Sequence, residues 1–256
     1  MARSLRSVLD EHRERLFLGG VLALSSAAGL ALLAFRFYYS GEAGYEFMPW
    51  NLFLAWVPLG LAVVMGWVNR SGRAAAGALA AVGFVWLLFF PNAPYLLTEF
   101  MHLDPDYGVS ERPLRALAAL SPRRDVPVWY DALLILMFAW TGLVLAFVSL
   151  QIVQQVVRER AGPRAAWAMA VAVLGLGGFG VSLGRFERWN SWDVFSQPIA
   201  LLSDVLGRLV NPLAHPRTTA VTVLVSAFLI LAYLSIGALG ALSRVRGRER
   251  CGAAGA

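Results

Sequence analysis

Residues 129–157 of the chain read WYDALLILMFAWTGLVLAFVSLQIVQQVV. Asp131 is the only charged side chain in this stretch, and it stands at the beginning of the apolar run. A transmembrane helix needs about 20 mostly apolar residues to cross the hydrocarbon core of a bilayer. The stretch is long enough to do so, and it lacks the period-2 alternation of a barrel strand. It therefore predicts a membrane-spanning helix.

The apolar character recurs along the chain on both sides of this segment. Four other stretches are comparably apolar, and a fifth, 165–184, is rich in glycine but carries no charge. Glycine is tolerated in transmembrane helices more readily than in soluble ones. We therefore predict six spans, at about 16–39, 50–68, 74–90, 129–157, 165–184 and 220–242.

The composition agrees with this pattern and excludes other classes of protein. The 256 residues are 58% hydrophobic and only 15% charged, whereas a soluble domain has about 25% charged residues. A single cysteine, Cys251, excludes an intrachain disulfide and a cysteine-based metal site. The net charge of +6 comes from arginines at the ends of apolar segments, so we expect no nucleic-acid partner. The predicted fold class is an all-α polytopic membrane protein, with one membrane domain over residues 1–256.

The distribution of arginine predicts the orientation in the membrane. All 22 basic residues are Arg, and arginine-rich short loops are typical of the cytoplasmic side. With a cytoplasmic N-terminus, the inner segments hold 13 Arg against five acidic residues, and the outer segments hold nine Arg against eleven. We therefore predict a multi-pass protein of the plasma membrane, with both termini cytoplasmic and two long outer loops, 91–128 and 185–219.

The second of these loops contains a short amphipathic segment, Pro198–Val210. Its apolar residues Ile199, Leu202, Leu206 and Leu209 recur at helical spacing. Thirteen residues are too few to cross the bilayer as a helix. We predict a short interfacial or re-entrant helix between spans five and six.

The first of these loops begins with Pro91-Asn92-Ala93-Pro94-Tyr95. The two prolines remove backbone donors and disfavour helix at the residues before them. Asn92 can supply donors locally, and Tyr95 suits the membrane interface. The pattern fits a helix terminator with an aromatic anchor, or a broken helix that lines a polar cavity. In the second case Asn92 and Tyr95 are candidate substrate-binding residues.

Glu99 and His102 follow, and they share one face if the stretch is helical. Such a pair can act in acid–base catalysis or ligate a metal together with Asp104, Asp131 or Asp193, with His215 as a further candidate ligand. Oxygen-rich ligation favours Mg, Mn or Ca over Zn. Solvated acidic loops are commoner than ligating ones, so a divalent metal is possible but not favoured, and no cofactor is identified.

Asp131 opens the fourth span behind Trp129 and Tyr130. A carboxylate in the first turn stabilises a helix by about 0.5 kcal/mol through the macrodipole, so structure alone accounts for this residue. The alternative is a catalytic proton acceptor or ligand that faces the interior of the bundle.

The segment after the fifth span, Gly184–Asp193, concentrates polar and aromatic residues. Two arginines three apart can bind a phosphate or carboxylate through paired hydrogen bonds. Tryptophans can anchor in head groups or stack on a ring, and the segment also fits a plain interfacial anchor with internal Arg–Asp pairs. The candidate substrate-binding residues are Arg185, Arg188, Trp189, Asn190 and Trp192, and Asp193 is a further catalytic candidate.

The order of these blocks between apolar spans resembles a known family. Asn-Ala-Pro-Tyr at 92–95, Trp-Tyr-Asp at 129–131 and Arg-Trp-Asn-Ser-Trp-Asp at 188–193 are similar to the bacterial membrane-protein family called domain of unknown function 1361. That family more often has Asp where Glu99 stands, which would shift a ligand or base by one methylene. The resemblance implies a protein of the bacterial inner membrane, and it implies no chemistry because the family has no established activity.

Three functions fit these observations. The first is an enzyme that acts at the outer leaflet on an anionic lipid-linked or envelope substrate. The second is a small-solute transporter, for which ionisable groups at mid-membrane depth are nearly lacking in the sequence. The third is a non-catalytic partner or scaffold whose outer loops dock another protein. The enzyme hypothesis predicts that the three polar blocks gather in one hydrated hollow beneath the head groups.

Overall fold

The computed structural model describes the backbone of residues 5–41, 44–70, 76–103 and 126–253. These residues are almost entirely helical and contain no strand, which confirms the prediction of an all-α fold. The helices are α1 Leu5–Ser40, α2 Met48–Arg70, α3 Ala76–Phe89, α4 Asn92–Tyr95, a 3-10 helix Leu96–Leu103, α5 Val128–Phe186, α6 Asp193–Ser196, α7 Pro198–Val210, a 3-10 turn Pro212–Ala214 and α8 Pro216–Ala253.

Five helical segments of the described chain are long and apolar enough to cross a membrane. Three of them start and end within a few residues of one predicted span, and a fourth, Val128–Phe186, covers the two predicted spans 129–157 and 165–184. The exception is the third, which continues past the predicted end at residue 90 as far as Leu103. Residues 91–103 were expected in the outer loop 91–128 and are mostly helical instead. The rest of that loop, including the candidate ligand Asp104, lies outside the described residues. The five segments are Leu16–Ser40, Met48–Arg70, Ala76–Leu103, Val128–Phe186 and Pro216–Gly240.

The long helix α5 is interrupted at Gly162. This glycine has φ 87° and ψ 172°, a conformation that other residues rarely adopt, and Pro163 follows it with a φ suited to a new helix start. The Gln154 side-chain amide donates to the Ala166 carbonyl over 3.4 Å. In a straight helix these residues would lie about 18 Å apart. The chain therefore reverses at Gly162, and α5 consists of two arms, 128–161 and 163–186.

The chain divides into two compact units, Met1–Ser149 and Leu150–Ala256. In the first unit, α1 and the beginning of α5 run antiparallel. Ser25 and Thr141 share a hydrogen bond of 2.6 Å between their hydroxyls, and the Tyr130 hydroxyl donates to the Leu32 carbonyl over 2.7 Å. Residue numbers rise along one helix as they fall along the other, so the two helices remain in contact for several turns.

The remaining segments of the first unit complete an up-and-down bundle. The Trp56 indole of α2 donates to the Ser26 hydroxyl of α1 over 3.1 Å. At its other end α2 packs its Met65 side chain close to Gly83 of α3. These contacts place α2 between its two sequence neighbours, which is usual for apolar helices joined by short connections.

The break between α3 and α4 packs against α5 at Gly142. A Cβ atom at position 142 would collide with the Ala93 carbonyl oxygen and the Leu96 side chain, so only glycine allows this approach. At the same break the Asn92 side-chain amide donates to the Phe89 carbonyl over 3.0 Å. Gly142 lies eleven residues beyond Asp131, about 16 Å along the helix. The break is therefore well inside the bundle rather than at its edge.

In the second unit, the 163–186 arm of α5 runs antiparallel to α8. The Ser226 hydroxyl donates to the Gly175 carbonyl over 3.1 Å, and the rings of Trp167 and Tyr233 lie 6.3 Å apart. The Tyr233 hydroxyl also donates to the Gln154 side chain over 2.7 Å. The short helices α6 and α7 occupy the connection between these two long segments.

Candidate functional site

Glu99 and His102 form a contact pair on the 3-10 helix. The Glu99 side chain is fully buried, with 0% exposure, whereas 23% of the His102 side chain is exposed. His102 Nδ1 lies 3.1 Å from Glu99 Oε2 and 3.2 Å from the Glu99 carbonyl oxygen. A backbone carbonyl can only accept, so Nδ1 carries the proton and the basic lone pair is on Nε2. Asn51 of α2 donates its amide to Glu99 Oε1 over 3.0 Å.

Asp131 is the centre of a second set of contacts. Arg36 of α1 donates from Nε to Oδ1 over 2.7 Å and from Nη2 to Oδ2 over 3.1 Å. This two-bond arrangement is the strong geometry of an arginine–carboxylate pair. The Tyr45 hydroxyl donates to Oδ2 over 3.3 Å. The Arg36 guanidinium also lies 4.5 Å from the centre of the Tyr45 ring, a cation–π distance.

Aromatic contacts connect the two sets. The Tyr45 ring meets the His102 ring edge-on with centroids 6.1 Å apart, and Phe47 packs against His102 at 4.8 Å. Burial, together with the negative charge of Asp131, raises the pKa of Tyr45 from 10.0 to about 12. Tyr45 is therefore a neutral hydrogen-bond donor throughout the physiological pH range. We refer to these polar residues as the Glu99–Asp131 cluster: Arg36, Tyr45, Asn51, Glu99, His102 and Asp131.

Sequence reasoning did not assign Arg36, Tyr45 and Asn51 to the site. Arg36 is buried against Asp131 near the end of α1. One signal could have identified this pair. Arg36 and Asp131 are single opposite charges, each near one end of a long apolar segment. Charges of this kind in membrane helices usually face the bundle interior and pair with one another.

Asn92 and Tyr95, predicted to bind substrate, take part in the break between α3 and the 3-10 helix. Asn92 bonds the Phe89 carbonyl, as described above. The Tyr95 backbone N–H donates to the Pro91 carbonyl over 3.0 Å, and the Tyr95 carbonyl accepts from the Thr98 hydroxyl over 2.7 Å. The Asn92 bond supplies a donor to a carbonyl at the end of α3, and the other two bonds order the chain around Pro94. Their role in binding stays a prediction.

In the second unit, Asp193 is buried and organises its own segment. Its Oδ2 accepts from the Asn190 backbone N–H over 2.7 Å, and its Oδ1 accepts from the Ser196 hydroxyl over 3.0 Å. The Asn190 amide lies 3.4 Å from the same Oδ2. These contacts give Asp193 and Asn190 a structural role at the beginning of α6.

The other predicted residues of this segment differ in exposure. Arg188 is exposed and adopts the left-handed conformation with φ 61°, which is uncommon for a residue other than glycine. Trp192 is 40% exposed, and Arg185 is partly buried at the end of α5. The Trp189 indole donates to Asp204 Oδ2 over 2.8 Å. Trp189 is therefore attached to α7 through its polar edge.

Arg208 of α7 is the centre of a network that the sequence did not reveal. It contacts Glu187 Oε2 over 2.8 Å and Asp204 Oδ1 over 2.9 Å. It also donates to the Thr218 hydroxyl over 2.7 Å. Glu187 follows the end of α5, and Thr218 is in the first turn of α8. One side chain therefore connects α7 to the adjacent ends of two long helices.

The structure thus brings together Glu99, His102 and Asp131 in the first unit, and Trp189, Asn190 and Asp193 in a separate segment of the second. A single hollow formed by all of them stays a prediction. Among the described residues, no group of three or more His, Cys, Asp or Glu side chains is arranged to hold a metal ion.

Comparison with known families gives a match over most of the chain. The model of a family described as "Protein of unknown function (DUF1361)" matches residues 50–232, a region that includes every predicted site residue. No curated protein matches the chain significantly. No solved structure does so either.

Proposed function

Because the chain belongs to the DUF1361 family of proteins of unknown function, we propose its function from its geometry: it is a membrane enzyme that uses His102 for proton transfer on an anionic lipid-linked or envelope substrate. The observation that carries the proposal is the contact between buried Glu99 and partly exposed His102. The following paragraphs give the support for the location, the chemistry and the substrate class in turn.

The proposed location is the plasma membrane, here the bacterial inner membrane, with six crossings. Two arms of α5 run in opposite directions from Gly162, and each is long enough to span about 30 Å of hydrocarbon at 1.5 Å per residue. Counting them separately turns the five candidate segments into six. Short arginine-rich connections support cytoplasmic termini, and this orientation puts the Glu99–Asp131 cluster on the non-cytoplasmic side.

The proposed chemistry is general acid–base catalysis by His102. A carboxylate on Nδ1 fixes the tautomer of an imidazole and stabilises the imidazolium that forms when Nε2 takes a proton. Glu99 is placed for this role, since it is fully buried and contacts Nδ1 directly. Asn51 holds the other oxygen of the same carboxylate. General catalysis by a positioned side chain of this kind contributes about 10²–10⁴-fold in rate.

In this proposal Asp131 positions the site rather than reacting. Both of its oxygens accept hydrogen bonds from Arg36, so they are held within the protein. Its contact with Tyr45 holds a ring that packs edge-on against His102. Asp193, bound by Asn190 and Ser196, has a comparable structural role in its own segment.

The proposed substrate class is an anionic lipid head group. Arg185 is in the last turn of α5 and Arg188 follows the helix, and the arginine distribution assigns this part of the chain to the non-cytoplasmic side. Arg188 is exposed and Trp192 is partly so. Arginine binds phosphate through two parallel hydrogen bonds, and tryptophan is suited to the head-group layer. These properties favour a phosphate-bearing lipid over a soluble substrate.

One observation favours a small-solute transporter as the second candidate. The break at residues 91–95 packs against Gly142, about 16 Å along α5 from Asp131, and broken helices at such depth form the binding sites of many transporters. No observation of this kind on the described residues favours the third hypothesis, a non-catalytic partner or scaffold.

The enzyme proposal is tested by lipid analysis. Membranes that contain the wild-type chain are compared by mass spectrometry with membranes that contain H102Q, at equal expression. We expect an anionic lipid species to be consumed or formed only with the wild type. The matched control is H215Q, which changes a histidine outside the cluster and should behave as wild type. Identical lipid profiles for wild type and H102Q, with vesicle uptake of a solute that depends on the break at 91–95, would instead support transport.

A further inference from the structure

The short helix α7 exposes its apolar side chains. Ile199 is 84% exposed, and the other members of the same face are exposed as well. Exposed apolar side chains also lie just before and just after the helix. We call these side chains the α7 strip: Phe195, Ile199, Leu202, Leu206, Leu209 and Leu213.

The polar side chains of α7 are directed the other way. Asp204 and Arg208 are bonded to each other, and they also contact Trp189, Glu187 and Thr218. In a soluble protein, an amphipathic helix places its apolar face against the core and its polar face in water. The arrangement of α7 is the reverse of this, so its surroundings must be apolar.

The contacts of Arg208 indicate the depth of α7 in the membrane. Glu187 is one residue past the end of α5, and Thr218 is in the first turn of α8. Because α7 is bonded to the end of α5 and to the beginning of α8, it lies at the same depth in the membrane as they do. That depth is the edge of the hydrocarbon layer. A re-entrant helix would instead extend toward the middle of the bundle. At about 20 Å, α7 is also too short to cross.

The strip continues into a surface that belongs to a candidate span. At the junction of Leu213 with α8, a shallow groove of about 470 Å³ is lined by Pro216, Ala220, Val223 and Leu224. These residues begin the apolar segment Pro216–Gly240. The α7 strip and the outer surface of this segment are therefore one continuous apolar surface.

We infer that α7 is an interfacial anchor whose strip binds the acyl-chain boundary of the outer leaflet. The partner is phospholipid of any head group, because the only basic residue of α7, Arg208, is engaged within the protein. Many interfacial helices instead use exposed cations to bind anionic lipids. The inference rests on the membrane part of the proposed function and does not require the enzyme activity.

The experiment measures the depth of single spin labels in vesicles. Cys251 is first replaced by Ser, and nitroxides are attached to I199C and L206C on the strip. A200C is the matched control on the same helix, about 100° away. L231C marks the exposed surface of α8, and E46C marks the connection between α1 and α2. Depth is read from collisions with oxygen, which enters lipid, and with a nickel chelate, which stays in water.

We expect the labels at positions 199 and 206 to lie about 5–10 Å below the phosphates. The label at position 200 should be shallower, and the label at position 231 should be deeper. These depths should be equal in phosphatidylcholine vesicles and in mixtures with phosphatidylglycerol. The inference is overturned if the labels at positions 199 and 206 collide with the nickel chelate as often as the label at position 46. It is also overturned if they lie as deep in the membrane as the label at position 231. Low collision with both reagents at 199 and 206 would identify a protein partner instead. If 231 is itself accessible to nickel, the membrane proposal fails as well, which separates the two outcomes.

Discussion

The Arg36 guanidinium and the Asp131 carboxylate are bonded at 2.7 Å across 95 residues of sequence. Both side chains are largely buried, with 9% and 13% exposure. The pair joins the C-terminal part of α1 to the first turn of α5. It therefore closes the first unit between its first and last helical segments, and Tyr45 from the intervening connection is bonded to the same carboxylate.

Removal of one member of this pair should destabilise the protein more than removal of both. R36M leaves a buried carboxylate without its cation, and we expect a loss of about 3 kcal/mol in the free energy of unfolding. In R36M/D131L neither charge remains, so most of that loss should be recovered. Unfolding in mixed detergent micelles measures both values. A double variant as unstable as the sum of the two single variants would contradict the expected coupling.

Substitution of Gly142 should show how closely the break at residues 91–95 approaches α5. G142A places a methyl group against the Ala93 carbonyl oxygen, and we expect a destabilisation of about 1–3 kcal/mol. The matched control is G77A on α3, where an added Cβ has no neighbour within 4 Å. G77A should stabilise its helix by up to about 1 kcal/mol. Thermal unfolding of both variants in detergent gives the comparison, and equal shifts of the same sign would refute the close approach.

The raised pKa of Tyr45 predicts a loss of stability at high pH. The folded state favours the neutral phenol, so its contribution is complete below pH 10.0 and is lost as the pH rises from 10.0 toward 12. Y45F has no phenol to ionise and lacks this contribution at every pH. We expect the stability difference between wild type and Y45F to shrink over that interval. A difference that remains constant from pH 9 to pH 12 would show that Tyr45 ionises alike in the folded and unfolded chains.

Substitution of Arg188 can separate the effect of this residue on stability from its effect on lipid binding. Its left-handed backbone costs an arginine about 1 kcal/mol, and glycine adopts it without strain. We therefore expect R188G to be as stable as the wild type or more stable by up to about 1 kcal/mol. If Arg188 holds a head group, the same variant should retain less anionic lipid in native mass spectrometry. Retention equal to that of the wild type would exclude Arg188 from lipid binding.

The helices and their apolar character could be read from the sequence because each segment is long and its pattern is local. The end of the third segment could not. Pro91 and Pro94 indicate termination, and they do end α3 after 14 residues, or about 21 Å. The chain resumes directly after Pro91 as α4, which contains Pro94, and then as a 3-10 helix, which rises about 2 Å per residue. This continuation depends on the packing of Ala93 and Leu96 against Gly142, which is not visible in the local sequence.

The same distinction applies to the site. Glu99 and His102 are three residues apart, so their contact follows from local spacing. The partners Arg36 and Asn51 come from α1 and α2, and only the antiparallel packing of those helices brings them to the carboxylates. Sequence reasoning therefore identified the acidic members of the cluster and did not identify the residues that neutralise or hold them.

The bond between Asn51 and Glu99 has a consequence for biogenesis. An acidic group at the centre of a lone helix raises the cost of insertion by about 2.5–3.5 kcal/mol, and by less toward the helix end. Ribosomes deliver α2 first, so its amide is already in the bilayer when Glu99 leaves the translocon. The two segments should enter the lipid as a helical hairpin. If α2 entered the membrane late, Glu99 would lack its Asn51 partner. Residues 96–103 would then pass to the far side of the membrane instead of entering the lipid.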